Sequence, residues 1–318
     1  MYQPAWWLRN GHIQSIYPSV FRRVSDHFFK PERIDTPDGD FLDLDWSQND
    51  NKRLVILTHG LEGHSRRPYV LGMAKAAIQK NWDVLAWNFR SCSGEPNRML
   101  KSYHSGATND LSSVIEYARS NHPYQEIALI GFSIGGNKTL VHLGRNKSSL
   151  PKEIMSAVTF SVPCDLSSCS QHLAKTRNTL YMKNFLNSFK QKLTQKKDIY
   201  PNDIDLKNFK HVKNFYDYDS EYTAPLNGFR SAEEYWAYSS SNQFVEDIDR
   251  PTLIVNAQDD PFLTPSCFPH EQANKNKYVT LETPKYGGHV GFMQFNQDNT
   301  YWSEQRAIQF IDAASKLS

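Results

Sequence analysis

Short apolar segments alternate with amphipathic segments along most of the chain, and this alternation most constrains the fold. Continuous apolar segments predict buried strands, and apolar residues three or four positions apart predict helices with one buried face. Strands that alternate with helices form a parallel sheet covered on both faces. The predicted strands are Arg53–Thr58, Asp83–Trp87, Glu126–Ile130, Ile154–Val162, Thr252–Ala257 and Tyr278–Leu281, and the predicted helices are Val70–Lys80, Asp110–Arg119, Ile134–Leu143 and Thr300–Leu317.

Length and charge narrow the class of protein further. A chain of 318 residues fits one α/β domain over residues 1–318, which is large enough to fold without disulfides or bound metals. The formal net charge of +2 argues against nucleic acid as the main partner, because that function needs a basic face. The four cysteines form no CxxC pair, and neither a signal peptide nor a long apolar segment is visible. We therefore expect a cytoplasmic protein without a transmembrane segment.

One region, residues 166–245, interrupts the alternation and predicts a helical insertion. Within it, Gln171–Phe215 carries ten Lys and Arg residues against three Asp, and its apolar residues follow helical spacing. The basic residues fit either a solvated helix face or a lid that recognises anionic or lipid-like groups, which leaves peripheral membrane contact open. We expect this segment to cover the active site and to limit the length of the substrate chain.

A G-x-S-x-G pentapeptide, Gly131–Gly135, follows a predicted strand directly and opens a predicted helix. This strand–turn–helix context is typical of a nucleophile elbow, in which a sharp turn exposes the serine hydroxyl at the edge of the sheet. Ser133 is therefore the candidate nucleophile. Because a serine hydroxyl is weakly nucleophilic, it needs a base within hydrogen-bond reach.

Candidates for the base and its partner follow in the order that this elbow requires. The adjacent Asp259 and Asp260 come just after a predicted strand, and His289 lies in a Gly-rich loop before the last helix. We expect His289 to accept the proton of Ser133. Position alone does not choose between the two aspartates.

The oxyanion of an acyl-transfer intermediate needs two backbone N–H donors. The residue after the nucleophile, Ile134, is expected to supply one, and Leu61 in the loop His59–Gly63 (HGLEG) the other. The same loop contributes to a group of His59, Glu62 and His64, but their spacing does not match the HExxH zinc motif. No metal site and no cofactor are expected.

A phosphate-binding loop is the main rival interpretation of the segment Gly131–Thr139. The lysine of a P-loop follows the last glycine directly, whereas Asn137 separates Gly136 from Lys138 here. One inserted residue rotates the lysine by about 100° around the helix. This rotation argues against a nucleotide-binding function.

Several segments resemble the motifs of one family, the YheT-like α/β hydrolases, which also include eukaryotic α/β-hydrolase-domain esterases and phospholipases. The resemblance spans about Pro4 to Phe310 and implies an α/β-hydrolase fold. One departure is Ser91, where the family usually has glycine beside the pocket. The matching segments are Pro4–Gln14 (PAWWLRNGHIQ), Asn88–Arg98 (NFRSCSGEPNR), Tyr103–Gly106 (YHSG) and Asn256–Phe262 (NAQDDPF).

The resemblance also implies roles for particular residues. In this superfamily the strand before the acid commonly ends in G-x-x-D, and aligning Ala257 with that glycine selects Asp260. Trp6, Trp7 and His104 are further candidates for lining the site, although packing is the alternative for both tryptophans.

The expected activity is that of a carboxylic ester hydrolase. Ser133, Asp260 and His289 would act as the triad, with Leu61 and Ile134 N–H groups as the oxyanion hole. The implied substrates are short- to medium-chain esters, with a small-molecule ester or lipid as partner. The alternatives are an acyltransferase or a lipid-directed lipase on the same scaffold, and a binding protein that has lost catalysis.

Overall fold

Eight strands form one sheet in a computed structural model of the chain, which describes residues 2–316. Their order across the sheet is β1-β2-β4-β3-β5-β6-β7-β8. Strand β2 is antiparallel to both of its neighbours, and all other pairs are parallel, so the predicted mostly parallel sheet is confirmed. The strands are β1 (Lys30–Asp35), β2 (Phe41–Ser47), β3 (Arg53–Thr58), β4 (Asp83–Trp87), β5 (Glu126–Phe132), β6 (Ile154–Phe160), β7 (Thr252–Val255) and β8 (Val279–Glu282).

The central strands lie where the apolar pattern places them, and two of them, β3 and β4, match the prediction at both ends. The antiparallel pair β1–β2 was missed. Strand β1 lies at the edge of the sheet with five of its six residues exposed, so it has no apolar pattern. Strand β2 carries two aspartates, and the buried Asp45 accepts hydrogen bonds from Arg66 and Ser65. Partners from distant segments thus allow a charged residue inside a buried strand.

Helices cover both faces of the sheet, and each face has its own apolar core. Helices α3 and α4 pack on one face, and α2 and α11 on the other. Residue Leu317 of the last predicted helix lies outside the described residues. The main helices outside the insertion are α1 (Gly11–Phe21), α2 (Pro68–Ile78), α3 (Asn109–Asn121), α4 (Ile134–Arg145), α10 (His270–Lys275) and α11 (Trp302–Ser315).

The helical insertion, residues 166–245, lies between β6 and β7. Its α-helices are α5 (Leu166–Leu173), α6 (Thr179–Ile199), α7 (Phe215–Tyr218), α8 (Ala224–Leu226) and α9 (Ala232–Ser239), and a π-helical turn spans Asp219–Thr223. Three small apolar clusters hold these helices together, apart from the two cores of the sheet. No helix among residues 2–316 is long and apolar enough to cross a membrane.

Candidate active site

Ser133 occupies the turn between β5 and α4 with φ 54° and ψ −123°, a backbone conformation that residues with a side chain rarely adopt. The turn is fixed because the Ser133 N–H donates to the Phe160 carbonyl at 2.8 Å, and the Ser133 carbonyl accepts from Asn137 at 3.0 Å. Glycine is required on both sides. A Cβ at Gly131 would lie 2.6 Å from the Gly135 carbonyl oxygen, and one at Gly135 would collide with the His59 carbonyl.

His289 lies between Ser133 and Asp260. Its Nε2 is 2.9 Å from Ser133 Oγ, and its Nδ1 is 2.9 Å from Asp260 Oδ2. An ionised Asp260 can only accept, so Nδ1 carries the proton and Nε2 is free to accept from the serine hydroxyl. The ring is held in place because it packs against the tilted Phe262 ring at 4.1 Å between centroids, and the His289 backbone N–H donates to Ser15 Oγ at 2.8 Å.

The two adjacent aspartates have different partners. The Asp260 side chain is fully buried and accepts from the Phe262 N–H at 2.9 Å as well as from His289. Asp259 instead accepts from the Gly288 N–H at 2.8 Å, and burial raises the pKa of its carboxyl. The structure therefore brings Asp260, and not Asp259, against His289.

Leu61 and Ile134 both line the cavity that contains Ser133 and His289. Among residues 2–316, neither the Leu61 N–H nor the Ile134 N–H donates to a protein acceptor. A free N–H is expected at Ile134 because it is the first residue of α4, and an oxyanion donor needs a free N–H as well. The loop of Leu61 lies close to the nucleophile, since a Cβ at Gly60 would be 3.1 Å from Ser133 Cβ.

His59 anchors this loop. Its Nδ1 is 2.7 Å from the Gly60 carbonyl, and its Nε2 accepts from the Phe89 N–H at 3.1 Å. Complete burial lowers the pKa of His59 to about 3, so the ring is neutral and its single proton lies on Nδ1. The ring therefore helps to position the loop.

An ion pair connects the loop to the insertion. Glu62 accepts from Lys192 of α6 at 2.8 Å and from Tyr103 at 2.6 Å, and it is also bonded to Ser188 of α6. The Glu62 side chain is 7% exposed, and that of Lys192 is 22% exposed. A shielded pair of this kind restrains α6 relative to the loop beside Ser133.

Two spaces meet at Ser133 and His289. One is a cavity of about 100 Å³ between the sheet and the insertion, and the other is a groove of about 300 Å³. Phe185 and Phe262 line both spaces. The cavity is further lined by Phe189, Phe215, Leu166, Cys169, Trp236 and Asp219, and the groove by Ser15, Pro18, Ser19, Arg67, Tyr69 and Tyr181.

Asp219 lines the cavity without having been predicted. It begins the π-helical turn and accepts from Trp236 Nε1 at 2.8 Å. Burial raises the pKa of Asp219 to about 6. No local motif marks this residue, although π-helical turns are frequent at functional sites.

Three further residues were candidates for lining the site from the sequence. Neither Trp6 nor Trp7 lines the cavity or the groove; Trp6 is 80% exposed and Trp7 is 44% exposed, so packing does not account for them either. His104 lies behind the cavity wall, in edge contact with Phe229 and Tyr235. The expectation that these residues line the site is therefore wrong.

The geometry does not support a phosphate-binding loop or a metal site, the two rival interpretations of these segments. Lys138 is buried and donates to the Ala107 carbonyl at 2.7 Å, so it is not available to a phosphate. Asn137 bonds the carbonyls of Ser105 and Ser239. Residues 2–316 contain no group of three or more His, Cys, Asp or Glu that could hold a metal ion.

A mostly parallel sheet with a serine at a strand–helix turn, and with aspartate and histidine on later loops, defines the α/β hydrolases. A family model described as alpha/beta hydrolase fold matches residues 53–295. The chain therefore belongs to the alpha/beta hydrolase fold family.

Individual relatives narrow this placement. The chain is 35% identical over 290 residues to an Escherichia coli (strain K12) protein named Putative esterase YheT. The aligned region covers 89% of this chain and 84% of that protein. It is 28% identical to human Phospholipase ABHD3, over 98% of this chain and 78% of that protein. The predicted membership in the YheT-like group is confirmed.

Solved structures agree on the fold. An esterase of Pyrococcus furiosus, Pf2001, aligns with a TM-score of 0.64 at 16% sequence identity, over 98% of this chain and 100% of that one. The sequence relatives thus include the protein named Putative esterase YheT and a phospholipase.

Proposed function

We propose that this chain hydrolyses short- to medium-chain carboxylic esters through a covalent acyl-enzyme. The observation that carries the proposal is the hydrogen-bonded line from Ser133 Oγ through His289 to Asp260, with 2.9 Å at each step. This arrangement activates a serine because the imidazole accepts the hydroxyl proton and the carboxylate stabilises the resulting imidazolium.

The reaction has two halves. Ser133 Oγ attacks the ester carbonyl carbon while His289 Nε2 takes its proton, and the Leu61 and Ile134 N–H groups hold the carbonyl oxygen as it becomes negative. Collapse of this intermediate breaks the ester C–O bond, and His289 returns the proton to the leaving alcohol. Water then attacks the acyl group on Ser133 by the same path and releases the acid.

The two spaces at Ser133 suit the two parts of an ester. The cavity is mainly apolar and is closed by Phe185, Phe189 and Phe215 of the insertion, so it fits an acyl chain of limited length. The groove is about three times larger and is lined in part by Ser15, Ser19 and Tyr181, so we assign the alcohol to it. In this assignment the insertion acts as a lid that selects the acyl chain.

A lipid-directed lipase is the second candidate. The size of the groove favours it, because about 300 Å³ accepts an alcohol larger than that of a simple ester. The names of the two relatives, a phospholipase and an esterase, fit both candidates.

A series of p-nitrophenyl esters of increasing chain length tests the proposal. We expect kcat/KM to pass through a maximum at short to medium chains and to fall for long chains, because the cavity is small. Absence of hydrolysis for the whole series, with folded protein, contradicts the proposal. A parallel series of glycerol esters separates the esterase from the lipase.

A further inference from the structure

Helix α1 exposes most of its large apolar residues, while its Gln14 is buried. Ile13, Ile16 and Val20 follow helical spacing and are 42–48% exposed, and Phe21 at the end of the helix is 62% exposed. Gln14 on the opposite face is fully buried, where it bonds Tyr2 Oη, the Leu8 carbonyl and the Met293 N–H. Ordinary surface helices have the reverse arrangement, so this stripe calls for a partner.

Neighbouring segments extend the α1 stripe into one patch. Trp6 and Trp7 lie just before α1, and Trp7 stacks on the exposed Phe295 at 5.5 Å between ring centroids. On the other side, His12 is bonded to Tyr181 at 3.1 Å, which places the first turn of α6 and its 76%-exposed Leu180 beside α1. We call these residues, together with the α1 stripe, the exposed apolar patch.

The patch borders the opening to the candidate active site. Ser15, Pro18 and Ser19 of α1 form one wall of the groove that reaches Ser133, and Tyr181 of α6 lies on another wall. A ligand that enters the groove therefore passes between the two helices that carry the patch. The position connects the patch to the substrate path.

Basic residues dominate the N-terminal part of the patch, although the exposed Asp298 follows Phe295 by three residues. Residues 1–25 contain three arginines and no Asp or Glu. Arg22 is neutralised by a buried ion pair with Glu304, which leaves the exposed Arg9 and Arg23. The exposed Lys183 adds a further cation on the first turns of α6. Apolar side chains flanked by cations suit a surface of anionic lipid, in which the acyl region takes the side chains and the headgroups pair with the arginines.

We propose that the exposed apolar patch docks this protein on an anionic phospholipid bilayer, with the groove open toward the lipid. Tryptophan favours the boundary between headgroups and acyl chains, and Trp6 and Trp7 stand at the edge of the patch where that boundary would lie. Docking itself needs no catalysis. The inference rests on the proposed ester hydrolysis only for the purpose of docking, which is to deliver lipid esters to Ser133.

Flotation with vesicles tests the docking. The full chain is mixed with phosphatidylcholine vesicles, or with vesicles of two parts phosphatidylcholine and one part phosphatidylserine. We expect wild type and Ser133→Ala to float with the anionic vesicles alike. The double variant Ile16→Ser with Val20→Ser should bind at least about tenfold more weakly, because each apolar group withdrawn from the membrane lowers the affinity.

A matched control comes from the far end of α6. Ile199 is as exposed as Val20, at 48%, but lies at the other end of a 21-residue helix, about 30 Å from Leu180. Ile199→Ser should therefore bind like wild type. Arg9→Gln and Arg23→Gln should each weaken binding to the anionic vesicles about fivefold and leave the neutral vesicles unaffected.

Hydrolysis of soluble p-nitrophenyl butyrate reports on the proposed function separately. The serine variants of Ile16 and Val20 should retain it, which also shows that they are folded. Wild type that does not float with the anionic vesicles, or equal losses for the Ile199 control, overturns the docking proposal. A wild-type dimer that becomes monomeric in the double variant Ile16→Ser with Val20→Ser also overturns the proposal, since a second copy of the chain would then cover the patch.

Discussion

The two walls of the cavity are held in different ways. On the sheet side, a backbone hydrogen bond fixes Ser133 to Phe160, and the Phe262 N–H donates to the Asp260 carboxylate. On the insertion side, aromatic residues such as Phe185 and Phe189 close the cavity, and the ion pair of Glu62 with Lys192 restrains α6. From this difference we expect a division of labour, in which the sheet holds Ser133, His289 and Asp260 in place and the insertion shapes the space for the substrate.

Changes on the sheet side should have the largest effects. Ser133→Ala should lower kcat by about 10⁴–10⁶ without unfolding the protein, because removal of a triad member leaves only binding and the oxyanion hole. Steady-state hydrolysis of p-nitrophenyl butyrate and circular dichroism measure both properties. Ser170→Ala, a buried serine on the same cavity, is the control and should stay within a few-fold of wild type. Residual activity above a tenth in Ser133→Ala would break the assignment.

The adjacent aspartates sharpen the comparison within the sheet side. Asp260→Asn should lower kcat by about 10⁴, because an amide favours the wrong tautomer of His289. Asp259→Asn should cost much less, since Asp259 bonds Gly288 and does not touch the imidazole. Parallel kcat measurements on the two variants decide the matter, and the reverse ranking would contradict the roles proposed for the pair.

On the insertion side, protonation of Asp219 should make the free energy of unfolding depend on pH. Its pKa is about 6 in the folded protein and near 3.9 when unfolded, so folding favours the protonated form. This stabilisation is present below about pH 4 and is lost as pH rises to about 6, and the loss is up to about 3 kcal/mol. Asp219→Asn should lack this component, as urea unfolding at pH 4.0–7.0 can measure.

The exposed Asp203 in the same insertion provides the control for that experiment. Asp203→Asn should follow the pH dependence of wild type. If Asp219→Asn does so as well, the carboxyl does not carry the effect.

The smallest effect should come from the aromatic wall. Phe189→Ala should shift the preferred ester to longer chains, with up to about a tenfold change in the ratio of kcat/KM values, because a methylene in an apolar pocket is worth about 1–3 kcal/mol. Phe209→Ala removes an equally buried ring of the insertion that does not line the cavity, and it should leave the ratio unchanged. Equal shifts in both variants would mean that the insertion acts through its general packing.

The contrast between the sheet and the insertion also explains which site residues could be predicted from the sequence and which could not. Ser133, His289 and the pair Asp259–Asp260 each follow a predicted strand, and a G-x-S-x-G motif and a Gly-rich loop mark the turns of Ser133 and His289. The choice of Asp260 over Asp259 needed the family resemblance. The edge strand β1 was missed because its residues face water. Asp219 was missed because only the folded insertion brings it to the cavity, and the exposure of Trp6 was not foreseen because large aromatic residues are usually buried. That the insertion acts as a lid and that residues 1–318 form one domain remain predictions.

Reaction with a fluorophosphonate followed by peptide mass spectrometry tests the central claim most directly. The reagent phosphonylates a serine only where a base and an oxyanion hole activate it, so no knowledge of the natural substrate is needed. We expect one adduct per chain, on the peptide that contains Ser133, and its loss in Ser133→Ala. An unreactive folded protein, or an adduct on another serine, would contradict the account.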